Sequence, residues 1–383
     1  MSVLSAAYMH DEAAAFAHIE SLLWPDGPVC PFCGSVDRAY ALKGVRSKPS
    51  KKHPEGKERH GLYKCKDCGK QFTVRKGTIF EESHVDLHLW LQAIHLMTSS
   101  KKGISSNQLH RTLGVTLKTA WFMSHRIREA MRIDGNLDFG AGGNVVEVDE
   151  TFIGHDKTIK PKGEKKGRGY AHKHKVLSLV DRNTGRAKSM VVDDLKAKTL
   201  TPILRENIAK EATVYTDEAG YYGKLGESFA THDFVHHGAG EYGRGDVHTN
   251  TIEGYFSIFK RGMKGVYQHC GQRHLHRYVA EYEFRYNNRV ANGVDDTQRA
   301  AVALRGIKGK RLLYRDSLGA YNPRRRRGTW PTRLESPSKV RLAAASTRRP
   351  WRICCLRSKT SSPFFAAWRM LLPMAKTERL NGG

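Results

Sequence analysis

The chain has 383 residues and carries 65 Lys and Arg against 38 Asp and Glu, a formal net charge of +27. That length suits two or three domains at roughly 100–200 residues each, and so basic a balance predicts a polyanionic partner, nucleic acid above all. No apolar run approaches about 18 residues and the N-terminus has neither a basic region nor an adequate apolar segment behind it, so neither a membrane span nor a secretory leader is expected.

The first segment, residues 15–80, holds two Cys-x-x-Cys pairs, Cys30 and Cys33 in CPFCGS and Cys65 and Cys68 in YKCKDCGKQF. Each pair offers two sulfurs from a tight knuckle, and each is followed by Gly, which lets the backbone turn behind a metal. A closed four-thiolate zinc ribbon is the expectation, with free or redox thiols as the alternative; a catalytic zinc does not fit, because all four positions are filled. The 31 residues between the pairs form a polar, basic loop with no core of its own. Closing so long a loop adds only about 0.6 kcal/mol per doubling of its length. Cys270, Cys354 and Cys355 have no paired spacing and read as ordinary cysteines in a reducing compartment.

Residues 83–138 are helical in pattern. Ser83 and Asp86 have capping-box spacing before a helix with Leu87, Trp90, Leu91, Ile94 and Met97 on one face. Helices are expected over 105–113 and 116–131, joined at Gly114, which is the layout of a helix-turn-helix; a plain three-helix packing unit is the alternative. In a recognition helix, Thr116, Lys118 and Thr119 would lie nearest the bases, with Arg126 among the basic residues further along.

The glycine-rich GAGGN at 140–144 marks a boundary, and residues 144–315 read as a mixed-sheet α/β unit. NVVEVDETFIG is a strand, KHKVLSLVDRNTGRAKSMVV a hairpin turning at 183–185, LTPILRENIAK a helix and ATVYTDEAG a further strand. Helices follow over 250–263 and 272–289; the aromatic run YVAEYEFRYNN in the second reads as core rather than a base-stacking platform. The basic loop 157–175 and the RRRR run at 324–327 suit phosphate contacts. From Tyr321 onward 15 Lys and Arg face 2 acids without periodicity, so residues 316–383 read as a disordered basic tail with no assigned fold, either a DNA-binding arm or an unrelated reading frame.

Three acids stand out. Asp149 lies near a strand end in VVEVDETF, Asp217 ends another in TVYTDEAG, and Glu253 sits on a helix in HTNTIEGYFSIFKRG. Each alone could be a solvated position, and Glu147, on the same strand face as Asp149, is a weaker candidate. Converging, three carboxylates would suit Mg²⁺ or Mn²⁺ and phosphodiester chemistry. VEVDETFIG, TDEAGYY and HTNTIEGYFSIFKRG, in that order, resemble the acidic motifs of bacterial insertion-sequence DDE transposases with an N-terminal zinc ribbon, a helix-turn-helix and a ribonuclease H-like domain. The likeness extends over about residues 15–315, and the separations of 68 and 36 residues suit it.

The resemblance implies that Asp149, Asp217 and Glu253 bind two divalent ions. It also implies that Lys260, seven residues past Glu253, and the adjacent Arg261 contact DNA phosphate. Asn250, one turn before Glu253, could orient it, bind substrate or take the ligand role itself, as could His248. The implied activity is binding of terminal inverted repeats, strand cleavage and strand transfer to target DNA, by at least a dimer, in the cytoplasm at the nucleoid. Two alternatives remain open: a zinc-ribbon DNA-binding regulator with an inactive catalytic domain, and a ribonuclease H-like nuclease without strand transfer.

Overall fold

In a computed structural model, residues 3–313 are described apart from 52, 134, 136 and 155–171. The tail beyond 313, its arginine run and most of the basic loop 157–175 therefore lie outside the described residues.

The N-terminal part opens with α1 (Glu12–Leu23), capped by the Asp11 carboxylate, which accepts from the Ala14 N–H at 2.7 Å. Strands β1 (Ala39–Ala41), β2 (Tyr63–Cys65) and β3 (Gln71–Phe72) make a small antiparallel sheet. At each knuckle the glycine after the second cysteine is left-handed, Gly34 at φ 78° and Gly69 at φ 68°, and returns an N–H to the carbonyl of the first cysteine. Among the described residues, its small apolar cluster is Cys30, Cys65 and Phe72, with Ala39, Tyr63, Cys68 and Trp24 against it, the Trp24 indole meeting Tyr63 and Phe72 edge-on. So little burial leaves most of the ribbon's stability to whatever joins the four sulfurs. The long polar loop is not shapeless, since the segments around Arg46 and Glu58 pair in a short bridge.

Helices α2 (Leu87–Ser99), α3 (Ser106–Leu113) and α4 (Leu117–Met131) follow. The expected capping box at Ser83 and Asp86 does not form. The Ser83 hydroxyl accepts from the Trp90 indole N–H at 3.1 Å, Asp86 pairs with Lys57, and α2 begins at Leu87. Between α3 and α4 the turn is built as expected: Ser105 caps α3, Gly114 is left-handed and Thr116 caps α4. The C-terminal half of α4, from Ser124 to Met131, is buried throughout. Its Ile127 and Met123 share one core with Trp90, Met97 and Leu109, but also with Phe284, Ala303 and Leu304 from far along the chain.

The α/β part is a five-stranded sheet in the order β6-β5-β4-β7-β8. Strands β4 (Val145–Ile153), β5 (His174–Asp181) and β6 (Arg186–Val192) form an antiparallel meander, while β7 (Thr213–Asp217) and β8 (Thr231–Val235) add in parallel beside β4. Helix α5 (Ala197–Asn207) covers one face over Val146, Val148, Leu177 and Leu179. Helices α6 (Asn250–Gly262) and α7 (Gln272–Asn287) cover the other over Val176, Val180 and Ala187. With helices on both sides, β5 is buried almost without alternation. The short α8 (Asp296–Arg305) packs back onto the α2–α4 core.

α4 and α7 are locked by buried charge. Glu281 of α7, fully buried, accepts from Arg128 of α4 at 2.7 Å, from Arg285 at 2.6 Å and from the Tyr267 hydroxyl at 2.6 Å. The Arg128 guanidinium also lies 4.1 Å over the Tyr278 ring, and Arg285 reaches the Met97 and Ser100 carbonyls at the end of α2. The two guanidinium groups and the tyrosine hydroxyl hold the Glu281 carboxyl below the usual range against its burial. Glu281→Ala would strand two buried cations, so it is expected to destabilise the protein by roughly 3–5 kcal/mol. Urea denaturation followed by tryptophan fluorescence measures this; an unchanged midpoint would show that the joint carries no stability.

Candidate active site

In the ribbon, the four sulfurs of Cys30, Cys33, Cys65 and Cys68 lie within 4.8 Å of one another. Cys30 and Cys68 are 3.6 Å apart, and Cys33 and Cys65 3.7 Å. A tetrahedron on about 2.3 Å Zn–S bonds has edges of about 3.8 Å, so the donor set and its size fit zinc.

The second cluster arises where two strands part. The parallel ladder between β4 and β7 ends at Glu147 and Tyr215, two residues before Asp149 and Asp217. Past that point no further pair joins the two strands among the described residues, and the carboxylates of Asp149, Glu150 and Asp217 converge within 4.8 Å. Burial first, then the neighbouring Glu150 and Asp217 carboxylates, push the Asp149 carboxyl up to about 8. Burial also raises Asp217 and Glu150. Backbone and phenolic donors answer only part of this: Ala219 N–H reaches Asp217 at 3.1 Å, while the Tyr221 and Tyr222 hydroxyls donate to the two oxygens of Glu150. Three recessed carboxylates that resist ionisation together are a donor set for a hard divalent cation. They open onto a cleft of about 740 Å³ whose wall includes Tyr221, Lys173, Lys175, Lys260 and Lys264.

Asp149 and Asp217 are thus brought together, and Lys260 lines the same cleft. Glu253 stands in the first turn of α6, exposed and outside the 4.8 Å group, yet near enough to contribute to the rise at Asp149. Asn250 is exposed at the start of α6. His248 does not reach Glu253; its Nδ1 is 2.7 Å from Arg182 Nη2.

Glu147 is corrected from candidate ligand to clamp. It is fully buried, its Oε1 pairs with Arg182 at 2.5 Å, and its Oε2 accepts the Ile252 N–H at 2.8 Å, pinning the first turn of α6 against β4. Arg126 is also corrected. It is only 3% exposed, and its guanidinium is spent on the carbonyls of Ile79, Glu81 and Leu312, so it cannot meet DNA from where it lies. Thr116 and Lys118 are exposed at the start of α4, with Thr119 half-buried. Arg261 is exposed and bonds to the Ser257 carbonyl of its own helix.

Glu150 and Lys264 are not among the acids and cations singled out from the sequence, though both line the cleft. The signals were the doubled acid in VDET, the tyrosine pair in TDEAGYY and a second lysine four residues beyond Lys260.

A zinc ribbon ahead of a five-stranded mixed α/β sheet with an acidic cluster at its parting strands is the architecture expected of a DDE transposase. Residues 141–287 match the ISXO2-like transposase domain and residues 10–71 the transposase zinc-ribbon domain. The chain belongs to the IS1595 family of DDE transposases, with its N-terminal zinc ribbon and transposase domain. It is 30% identical over 262 residues, 64% of this chain and 81% of the other, to an uncharacterized protein in transposable element ISH50 of Halobacterium salinarum. It is 28% identical over 100 residues, 26% of this chain and 80% of the other, to an uncharacterized transposase-like protein of Haemophilus influenzae. Among solved structures, the catalytic core of BIV integrase overlaps 37% of this chain and 82% of its own, at 12% identity and a TM-score of 0.24.

The raised Asp149 has a consequence for stability. In the unfolded chain this carboxyl ionises in the ordinary range; in the fold it keeps its proton up to about 8. The stability it contributes is therefore full below the ordinary range and lost as pH rises through about 8. Thermal melts in chelator from pH 4 to 9 are expected to fall more steeply for the wild type than for Asp149→Asn. Parallel profiles would contradict the burial argument.

Proposed function

We propose that this chain binds the terminal inverted repeats of an insertion sequence, cuts the element's ends by metal-dependent hydrolysis and joins the freed 3′ ends to target DNA. The reading is carried by the meeting of Asp149 and Asp217 on two parting strands, with Lys260 of α6 on the wall of the same cleft. Asp149 and Asp217 would hold Mg²⁺ or Mn²⁺, in two positions. Bound there, divalent ions supply an acidified water or 3′-hydroxyl and charge stabilisation at phosphorus.

Glu253 is the third ligand on this reading. Its side chain is 52% exposed on the first turn of α6, whereas both oxygens of Glu150 already accept tyrosine hydroxyls. Asn250, one turn earlier, is a substrate contact or an alternative ligand. Lys260, with Lys264 one turn on, would meet the phosphates flanking the scissile bond, and Arg261 would contact DNA beside them. Thr116, Lys118 and Thr119, at the exposed start of α4, would enter a major groove, with the zinc ribbon reading adjacent base pairs. Pairing two ends in one complex calls for at least a dimer.

The test is Mg²⁺-dependent cleavage and joining of repeat-end DNA. Asp149→Asn and Asp217→Asn are each expected to slow cleavage by at least about 10²–10³-fold. Glu253→Gln should be as damaging, while Glu150→Gln and Asn250→Ala should be milder. Full activity in Glu253→Gln together with loss in Glu150→Gln or Asn250→Ala would reassign the third ligand. Cleavage without joining would leave a nuclease, and repeat binding without cleavage a regulator.

A further inference from the structure

Thr249 is the N-cap residue of α6 and only 2% exposed, yet its hydroxyl does not cap the helix. A threonine at this position normally accepts from a backbone N–H of the first turn, a bond that contributes about 1 kcal/mol. Here the hydroxyl donates instead to Glu253 Oε1 at 3.2 Å. Behind it stands His237, whose Nε2 is 3.4 Å from Thr249 Oγ1 and 3.8 Å from the same Glu253 oxygen. Thr249 spends its one hydroxyl proton on Glu253, so its oxygen is left to accept from Nε2–H of the imidazole. Among the described residues Nδ1 is buried without a hydrogen-bond partner, so Nε2 is the nitrogen through which this imidazole acts.

The ring's place is built from the other acid-bearing strand. His237 opens a 3₁₀ turn, His237–Ala239, just past β8. The next residue, Gly238, donates its N–H to both oxygens of Glu218, at 3.0 and 3.1 Å, and Glu218 directly follows Asp217. One connected path therefore runs from the end of β7 through the His237 turn and Thr249 to Glu253. It joins the second acid of the site to the third without passing through the cleft.

We propose that His237 is a positioning residue of the active site: with Thr249 it holds Glu253 Oε1, leaving Oε2 as the oxygen that meets the divalent cation. The inference rests on the reading of Glu253 as a ligand. Partners that orient a ligating carboxylate typically govern metal affinity by about 10–100-fold when removed.

The experiment is Mn²⁺ binding to the full-length protein, followed by electron paramagnetic resonance, alongside cleavage at low and high Mn²⁺. His237→Ala is expected to weaken Mn²⁺ binding about tenfold, with cleavage restored at high Mn²⁺, and His237→Gln, which keeps an N–H donor, to recover most of the affinity. In a Glu253→Gln background, His237→Ala should have no further effect on Mn²⁺ binding. A wild-type isotherm in His237→Ala, or full additivity with Glu253→Gln, would overturn the proposal. Asp149→Asn separates the layers: if it too binds Mn²⁺ as the wild type does, the metal site itself is misplaced and this inference falls with it; if it loses Mn²⁺ while His237→Ala does not, only the role of His237 falls.

Discussion

Glu281 sits fully buried between two guanidinium groups, one from helix α4 and one from its own helix α7. Removing a carboxylate and two cations from water is costly, and the arrangement persists because both guanidinium groups converge on the one carboxylate and their further donors find the Ser124 hydroxyl and the Met97 and Ser100 carbonyls. Arg285 reaches the end of α2, Arg277 pairs with Glu129 of α4, and the Tyr282 hydroxyl donates to Lys102 just past α2. Apolar packing of Phe284, Ala303 and Leu304 into the α2–α4 core completes the joint. The α2–α4 region and the mixed sheet consequently behave as one packed body rather than two lobes on a linker.

A second buried carboxylate does a similar task closer to the chemistry. Glu147 ties Arg182 at the β5–β6 turn to the first turn of α6, so the helix bearing Glu253 is registered to the strand bearing Asp149. Two residues along the same strand face, the acid changes its meaning. At 147 the ladder to β7 is intact and cations and amides surround the carboxylate; at 149 the ladder has ended and other carboxylates do. The difference between a clamp and a candidate ligand is the point at which two parallel strands part.

Much of this was legible in the sequence. The paired cysteines with trailing glycines, the Gly114 turn, β4, the β5–β6 hairpin, β7 and both long helices follow from local pattern, because each is set by residues close in the chain. What escaped depended on distant partners. Strand β8, THDFV, has no apolar run because it is an edge strand with only Val235 buried. Arg126 has the period of an exposed helical position, but the segments at 79–81 and at Leu312 close over it. Strand alternation puts Glu150 on the face opposite Asp149, and only the parting of β4 from β7 lets both reach Asp217. His237 lies in a histidine-rich turn with no motif of its own, and its relation to Glu253 exists only once α6 folds back beside β8.

The buried joint also bears on how a nucleic acid would be measured. Because α4 and the sheet are packed together, the separation between the exposed start of α4 and the acidic cleft is a property of the folded chain and cannot be retuned by stretching a tether. On the proposed reading this makes the protein a caliper: the number of base pairs between the sequence recognised and the bond cut would be set by that span. B-DNA turns once in about 10 base pairs, so a site displaced by half a turn would present its scissile phosphate on the far side of the duplex. Accuracy of the cut would then come from the rigidity of a salt bridge network that touches no DNA.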